Sequence, residues 1–359
     1  MTFKPKLRLL VALLLGSGIA TIAKAQSSVT LYGVVDGGVM YVSKTLNEKT
    51  GQNGGKQFSF TNGNLQSSTF GLLGTEDLGG GLHAIFNLES GIDISNGGFA
   101  DSTGNLFGRQ AWVGLEGGFG RVQVGVQYSP FVLSLIASDP RNISLFGSEV
   151  PIYTGQLFAT GAYNPNAIGY TSPSFFGLQG RAMLALGGTA GNFQAGRQYA
   201  GSLTYANSGV LLTASYYDGN AGGSAATTPI PSTVPFIGRT IGAGYDWGSW
   251  GVRAVFVNYK LQGSFDNRVF GAGFNYNITP SLNVNAGGWF IRDGNDSNNR
   301  SIMAAAGVVY SLSKATALYG QYGFVNNKGA EHIGLSTNGA LYAPAGSTNG
   351  VTLGIRHMF

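Results

Sequence analysis

Three histidines and no cysteine are a thin inventory for reaction chemistry. His83, His332 and His357 stand far apart, so no His/Cys cluster offers the ligand set that zinc needs. A nucleophile–base arrangement needs Ser or Asp close to a His. Glu331 beside His332 is the one local pair, and an acid–His dipeptide alone is a weak signal. The glycines of GTEDLGGG (74–81) and GLEGGFG (114–120) loosely match phosphate loops. Neither is followed by a helix pattern or by Lys-Ser/Thr, so they read as turn glycines. The residues point to no enzyme, no cofactor and no metal, and leave scattered charges to be placed by the elements that carry them.

Those charges are scarce. Charged residues make up 10% of the chain, against the usual figure of about 25%. Glycine accounts for 59 of 359 residues. Lys4, Lys6 and Arg8 precede a short apolar stretch, Leu9 to Leu15, and Ala23-Lys24-Ala25 fits a small-x-small cleavage site. Residues 1–25 are therefore expected to be an export signal and 26–359 a single domain. Removing the four bases of the signal from the total of 21 leaves 17 against 16 acids. With no basic run either, nothing points to nucleic acid. Few charges and many aromatics are wrong for a water-facing surface, yet no later apolar run approaches the length of a membrane helix. In lipid every backbone group must pair internally, which leaves a closed barrel.

Barrel strands should alternate, apolar toward lipid and polar toward the interior. In 29–41, Val29, Leu31, Val35, Val39 and Tyr41 fall on one side and Thr30, Tyr32 and Asp36 on the other. In 268–278, Phe270, Ala272, Phe274, Tyr276 and Ile278 oppose Gly271, Gly273, Asn275 and Asn277. In 121–128, Val122, Val124, Val126 and Tyr128 oppose Gln123, Gly125 and Gln127. The stretch 250–260 is apolar on both faces and leaves Arg253 to lumen or rim, because a charge facing lipid at mid-depth costs roughly 2–4 kcal/mol.

Seven short turns, at 77–81, 117–120, 173–177, 207–209, 247–250, 279–281 and 312–315, alternate with eight longer connections. The longer ones fall near 44–64, 96–105, 130–165, 188–198, 219–238, 262–267, 293–300 and 327–348. The expectation is an all-β, 16-stranded antiparallel transmembrane β-barrel, with 351–359 closing on 29–41. The segment 130–165 is unusually apolar for a long connection. Folding it inward buries Phe131, Leu133, Leu135, Leu145 and Phe146 and narrows the lumen. Asp139 and Glu149 then present carboxylates to the pore, or else pair with Arg141 or cap the loop.

The chain resembles the general porins of Gram-negative outer membranes, especially the neisserial and burkholderial branch. The matching stretches are SSVTLYGVVDGG, GTEDLGGGLHAIFNLESG, GRQAWVGLEGGFGRVQVGVQYSP, YTSPSFFGLQ and the terminal GIRHMF. The resemblance implies a homotrimer of separate pores in the outer membrane, among lipid and lipopolysaccharide, and passive diffusion of small hydrophilic solutes and ions. It implies that the third outer loop forms the constriction and that the terminal Phe359 is read by the outer-membrane insertion machinery. Arg109 matches a wall arginine opposite that loop. Two further wall arginines of the pattern are replaced by Thr69 and Tyr163, which thins the basic wall. Arg181 and Arg356 lie on polar strand faces and compensate in part, or else neutralise rim carboxylates. Arg109, Asp139, Glu149, Arg181 and Asp36 are thus the candidate constriction residues. The competing readings are a substrate-selective channel of the same fold and a secreted soluble β-sandwich that binds ligands.

Overall fold

The structure is a computed structural model that describes residues 27–158, 160–222 and 235–359. The expected export signal and most of the 219–238 connection lie outside the described residues. The first half of the chain forms β1 (Ser28–Asn47), β2 (Gln52–Asn62), β3 (Thr69–Gly79), β4 (Leu82–Gly91), β5 (Gln110–Gly117) and β6 (Gly120–Tyr128). Two short helices follow, α1 (Pro130–Ser138) and α2 (Glu149–Leu157). The chain continues with β7 (Tyr163–Thr171), β8 (Leu178–Ala185), β9 (Gln198–Asn207), β10 (Val210–Gly219), β11 (Phe236–Trp247) and β12 (Trp250–Leu261). It ends with β13 (Asp266–Thr279), β14 (Leu282–Asp293), β15 (Arg300–Ser311), β16 (Thr316–Lys328), a small hairpin β17 (Ile333–Ser336) and β18 (Ala340–Tyr342), and β19 (Gly346–Met358).

Every neighbouring pair in the large sheet is antiparallel, and β19 returns to β1, with Val34 opposite Met358 and Val42 opposite Gly350. The backbone of Phe359 exchanges both hydrogen bonds with Gly33, at 2.9 and 3.1 Å, so the sheet is a closed cylinder. The sheet counts as sixteen staves although seventeen segments compose it. β2 and β3 both pair with the same edge of β1, β2 with its second half and β3 with its first, and so form one stave broken at 63–68. All seven expected turns connect consecutive strands. The expected connection at 44–64 is instead largely ladder: β1 runs on to Asn47 and β2 begins at Gln52.

The alternation is inverted relative to a water-soluble sheet. Val29, Leu31, Val39, Leu353 and Ile355 are exposed, whereas Asp36, Thr352 and Gln321 are buried. One face of each strand must therefore meet hydrocarbon. Arg253 lies on the inward parity near a turn and pairs with Asp246 at 2.7 Å, which resolves its placement as a rim charge. In β6 the register slips after Gly125, whose φ of 128° is accessible to glycine. Beyond this bulge Tyr128 turns into the lumen instead of continuing the lipid-facing row.

The apolar core lies inside the cylinder. The expected inward loop is present, but it is not structureless. Ser129 caps α1 by accepting from the Val132 amide at 3.2 Å, with Pro130 in the first helical turn. Ser148 caps α2 through the Val150 amide at 3.0 Å, and Phe158 in a left-handed conformation ends it. Phe131 of α1 lies within 6.1–6.4 Å of the rings of Tyr153, Tyr217, Phe236 and Tyr259. β11 makes room for this helix with glycines. A Cβ on Gly238 would stand 2.7 Å from the Phe131 ring, and one on Gly242 would stand 2.3 Å from Ser138.

Candidate functional site: the constriction of the lumen

The loop starts against β9–β12, yet residues 140–148 reach the inner face of β14–β16. It therefore crosses the cylinder and leaves the lumen open mainly along the wall carrying Glu89, Arg109, Tyr128 and Tyr163. A cavity of about 760 Å³ lies there, lined also by Thr69, Asp101, Glu149 and Arg356. A second, of about 490 Å³, descends toward the short turns past Glu116, Arg121, Gln123, Gln127 and Arg181.

Arg109 stands on this wall, just before β5, but not as a bare cation. Its Nε donates to Glu89 Oε1 at 2.7 Å. Its terminal nitrogens donate to the hydroxyls of Tyr163 at 2.6 Å and Tyr128 at 2.8 Å. The guanidinium also lies 5.2 Å from the centre of the Tyr163 ring. Tyr32 donates to the other oxygen of Glu89 at 2.9 Å. Tyr163 thus forms part of a cradle for Arg109. Thr69 is buried nearby in the same cavity wall.

Asp139 and Glu149 do not stand as free pore carboxylates. Asp139 is 2% exposed and accepts from the amides of Arg141 at 2.7 Å, Ile143 at 3.0 Å and Glu149 at 2.8 Å. It closes the turn after α1 and holds the first amide of α2, the capping role of the two alternatives. Burial raises its pKa above the ordinary carboxylate value. Glu149 is likewise buried, with Tyr259 of β12 donating to its Oε1 at 2.7 Å. Burial pushes its pKa up to about 8.

Arg141 holds the crossing segment in place. Its Nη1 donates to the carbonyls of Phe146 and Gly147, both at 2.7 Å. Its Nη2 donates to Gln321 of β16 at 2.6 Å and its Nε to Asn285 of β14 at 2.9 Å. Burial lowers its pKa to about 10, which leaves it a cation at neutral pH. The last long connection seats on top: Gly147 donates to the carbonyl of Leu335 at 2.7 Å and Thr337 to that of Leu145 at 3.1 Å.

Asp36 faces inward from β1 as expected and is fully buried. Its Oδ2 accepts from the amides of Leu65 and Gln66 at 3.1 and 2.8 Å, and its Oδ1 from the Tyr319 hydroxyl at 2.6 Å. It thereby folds the 63–68 break into the lumen, where Asn64 meets Ser144 of the loop at 2.9 Å. Arg181 and Arg356 are inward too, and neither has an acid within 4 Å among the described residues. Phe359 lies far from the constriction, its ring against Gly33.

Of the expected set, Arg109 and Glu149 border one cavity, which Arg356 also lines, and Arg181 borders the other, while Asp36 and Asp139 serve the scaffold. Sequence reasoning missed Glu89 and Tyr128. Glu89 follows Asn87 at a strand spacing of two, a polar alternation that marks both as inward. Tyr128 was hidden by the bulge.

A closed antiparallel cylinder, greasy outside, hollow and polar within, and narrowed by one of its own loops, is a membrane-spanning channel. The pattern of the Gram-negative porin family matches residues 10–330. Over 97% of this chain and 98% of the relative, it is 32% identical to outer membrane porin protein 32 of Delftia acidovorans. An anion-selective porin from Comamonas acidovorans superposes with a TM-score of 0.79 at 28% identity, over 93% of this chain and all of that one. OmpT, an outer membrane protein of Vibrio cholerae in its trimer form, has the same fold at 13% identity, with a TM-score of 0.68 over 93% of this chain and 99% of its own. The chain belongs to the Gram-negative porin family. It is an outer-membrane channel for passive diffusion of small hydrophilic solutes and ions, and its fold and family are those of a channel rather than of an enzyme.

Proposed function

We propose that the pore favours small anions weakly, and that it does so through Arg181 and Arg356 more than through Arg109. One observation carries this reading: both guanidiniums border the lumen cavities without an acid partner, while most of the acids around them are occupied and Asp101 is the one exposed carboxylate on the larger cavity without an ion pair. Glu89, Glu116 and Asp246 are ion-paired. Asp36 and Asp139 are capped by backbone amides. A fixed charge beside a narrow aqueous path biases which ions enter it. The Comamonas relative, described as anion-selective, supports the same direction. The bias is weak because Arg109, a further cation on the wall of the larger cavity, is offset by Glu89 at 2.7 Å, and Asp101 adds a negative charge there.

The mature chain, 26–359, is proposed to form one domain and to assemble as a homotrimer, as a trimer form of a like-folded protein supports. Phe359 is proposed as the signal read by the insertion machinery, since it is an aromatic half exposed at the closing edge. Reversal potentials across a planar bilayer with a salt gradient test the selectivity. The double variant Arg181→Gln/Arg356→Gln should move the potential toward cation preference. An unmoved potential would assign the selectivity elsewhere.

A further inference from the structure

At the end of the cylinder that carries the long connections lies a third cavity, of about 390 Å³, distinct from the two in the lumen. Gln156 of α2, Asn267 of β13, Asp293 of β14, and Glu331, His332 and Tyr342 of the last long connection line it. Asn267 and Asp293 are direct cross-strand partners. The wall holds two carboxylates and neither Lys nor Arg. Neither carboxylate has a base within 4 Å among the described residues. His332 turns its Nδ1 to the carbonyl of Ala343, at 3.3 Å.

Both acids are buried. The Oδ1 of Asp293 accepts from the amides of Asp266 at 3.0 Å and Asn295 at 2.9 Å. Burial raises the pKa of Glu331 to about 7; the Asn267 amide, hydrogen-bonded to its carboxylate, pulls it back, and the charge of Asp293 adds to the rise. Two buried carboxylates that repel each other with no base between them call for a cation. A second observation is independent of the acids. Asn267 is 3% exposed, and its Oδ1 has no hydrogen-bond partner. The side-chain oxygen and nitrogen of Gln156 are buried and unpaired as well. Each such orphan costs roughly 1–3 kcal/mol, so this wall carries acceptors for which the chain supplies no donor.

The structure assigns this cavity as a site for a divalent cation of the calcium class, held by the carboxylates of Asp293 and Glu331 and the amide oxygens of Asn267 and Gln156. Oxygen ligands, two of them charged, select a hard cation. Calcium takes six to eight oxygens in a pliable shell, so four from the protein leave places for water, whereas magnesium demands a near-ideal octahedron. The amide oxygens complete the set, since among the described residues no three His, Cys, Asp or Glu side chains are grouped to hold a metal ion. The four ligands come from four separate segments, so no spacing in the sequence reveals them. Gln156 belongs to the loop that narrows the lumen and Glu331 to the connection seated on it, where Tyr342 donates to the carbonyl of Gly155 at 3.3 Å. A bound ion therefore staples the constriction loop to its cover. Which ions the pore favours does not bear on this site.

The test uses protein refolded in detergent free of lipopolysaccharide and stripped of metal on a chelating resin, with Tb³⁺ as the probe in place of Ca²⁺. Tyr342 in the cavity wall serves as the sensitiser of Tb³⁺ luminescence. Wild-type protein should give a signal that saturates at one ion per chain and is displaced by Ca²⁺ at about 10⁻⁴–10⁻³ M, the range of extracellular calcium modules. Asp293→Asn/Glu331→Gln keeps the volume, removes both charges and should weaken Ca²⁺ binding about a hundredfold, at roughly a decade for each charge lost. Tyr342→Phe should dim the luminescence and leave the Ca²⁺ affinity, read by calorimetry, unchanged. Asp296→Asn alters an exposed acid of the neighbouring connection, outside the cavity, and should bind as wild type does. In planar bilayers, chelation should raise the open-channel noise of wild type and leave that of the double variant unaltered. β-rich circular dichroism and heat-modifiable gel mobility verify that each variant is folded. No saturable signal, equal affinity of wild type and the double variant, undimmed luminescence in Tyr342→Phe, or lost binding in Asp296→Asn overturns the site. Wild-type noise indifferent to chelation overturns the staple.

Discussion

Replacing Arg141 with Met removes the tether of the crossing loop while keeping most of its volume. Four hydrogen bonds disappear, to Phe146, Gly147, Asn285 and Gln321. At a net value of about 1 kcal/mol for each bond, the segment loses about 4 kcal/mol of attachment. That is close to three decades in the ratio of docked to released loop. The loss is local. α1 and α2 keep their aromatic seat on β10–β12, so the barrel stays closed and only 140–148 is released. Because that stretch spans the lumen, its excursions widen the path. Single-channel recordings in planar bilayers should show a higher mean unitary conductance and greater open-channel noise than wild type. Unchanged conductance and noise in a folded Arg141→Met protein would refute the claim that this side chain holds the constriction.

Glu149 predicts a pH effect on the same loop. Its pKa rises from 4.5 to about 8 on burial. Below pH 4.5 folded and unfolded chains both hold the proton, and between 4.5 and about 8 only the folded chain does. Stability from this group is thus full below 4.5, falls as pH rises, and is lost once pH passes about 8. Denaturant midpoints across that range should decline less in Glu149→Gln than in wild type; identical slopes would exclude the group. Arg109→Gln leaves Glu89 buried without its cation, a change that typically costs about 3–5 kcal/mol. The midpoint should drop, and Glu89→Gln added to it should restore most of the loss; no restoration would mean the pair is not coupled. Asp36→Ala removes acceptors for Leu65, Gln66 and Tyr319. It should free the 63–68 break and raise amide hydrogen exchange there, whereas unaltered protection would place the restraint elsewhere.

The strands and turns were readable because lipid and water impose opposite demands on alternate residues, and only within the membrane. Above it the asymmetry ends. Apart from Leu46, residues 44–47 and 52–56 are polar or glycine on both faces, so their pairing in the β1–β2 hairpin left no periodic trace. The count of sixteen survived because the 63–68 break interrupts one stave without adding another. Arg109 lies just before β5, yet its partners Glu89 and Tyr163 come from other strands, and Tyr163 lies 54 positions away. Arg141 and Gln321 are separated by 180 positions. Alternation assigns a face, not a neighbour, and so the engaged state of Asp139 and Glu149 had to be seen in three dimensions.

The bond between Gly33 and Phe359 makes the first stave and the last share one seam. That seam cannot zip until the segment carrying β19 and Phe359 has been delivered. Every truncated product, and every chain still in transit, therefore carries two raw ladders hungry for partners. Until that closure, the open edges favour pairing with other chains.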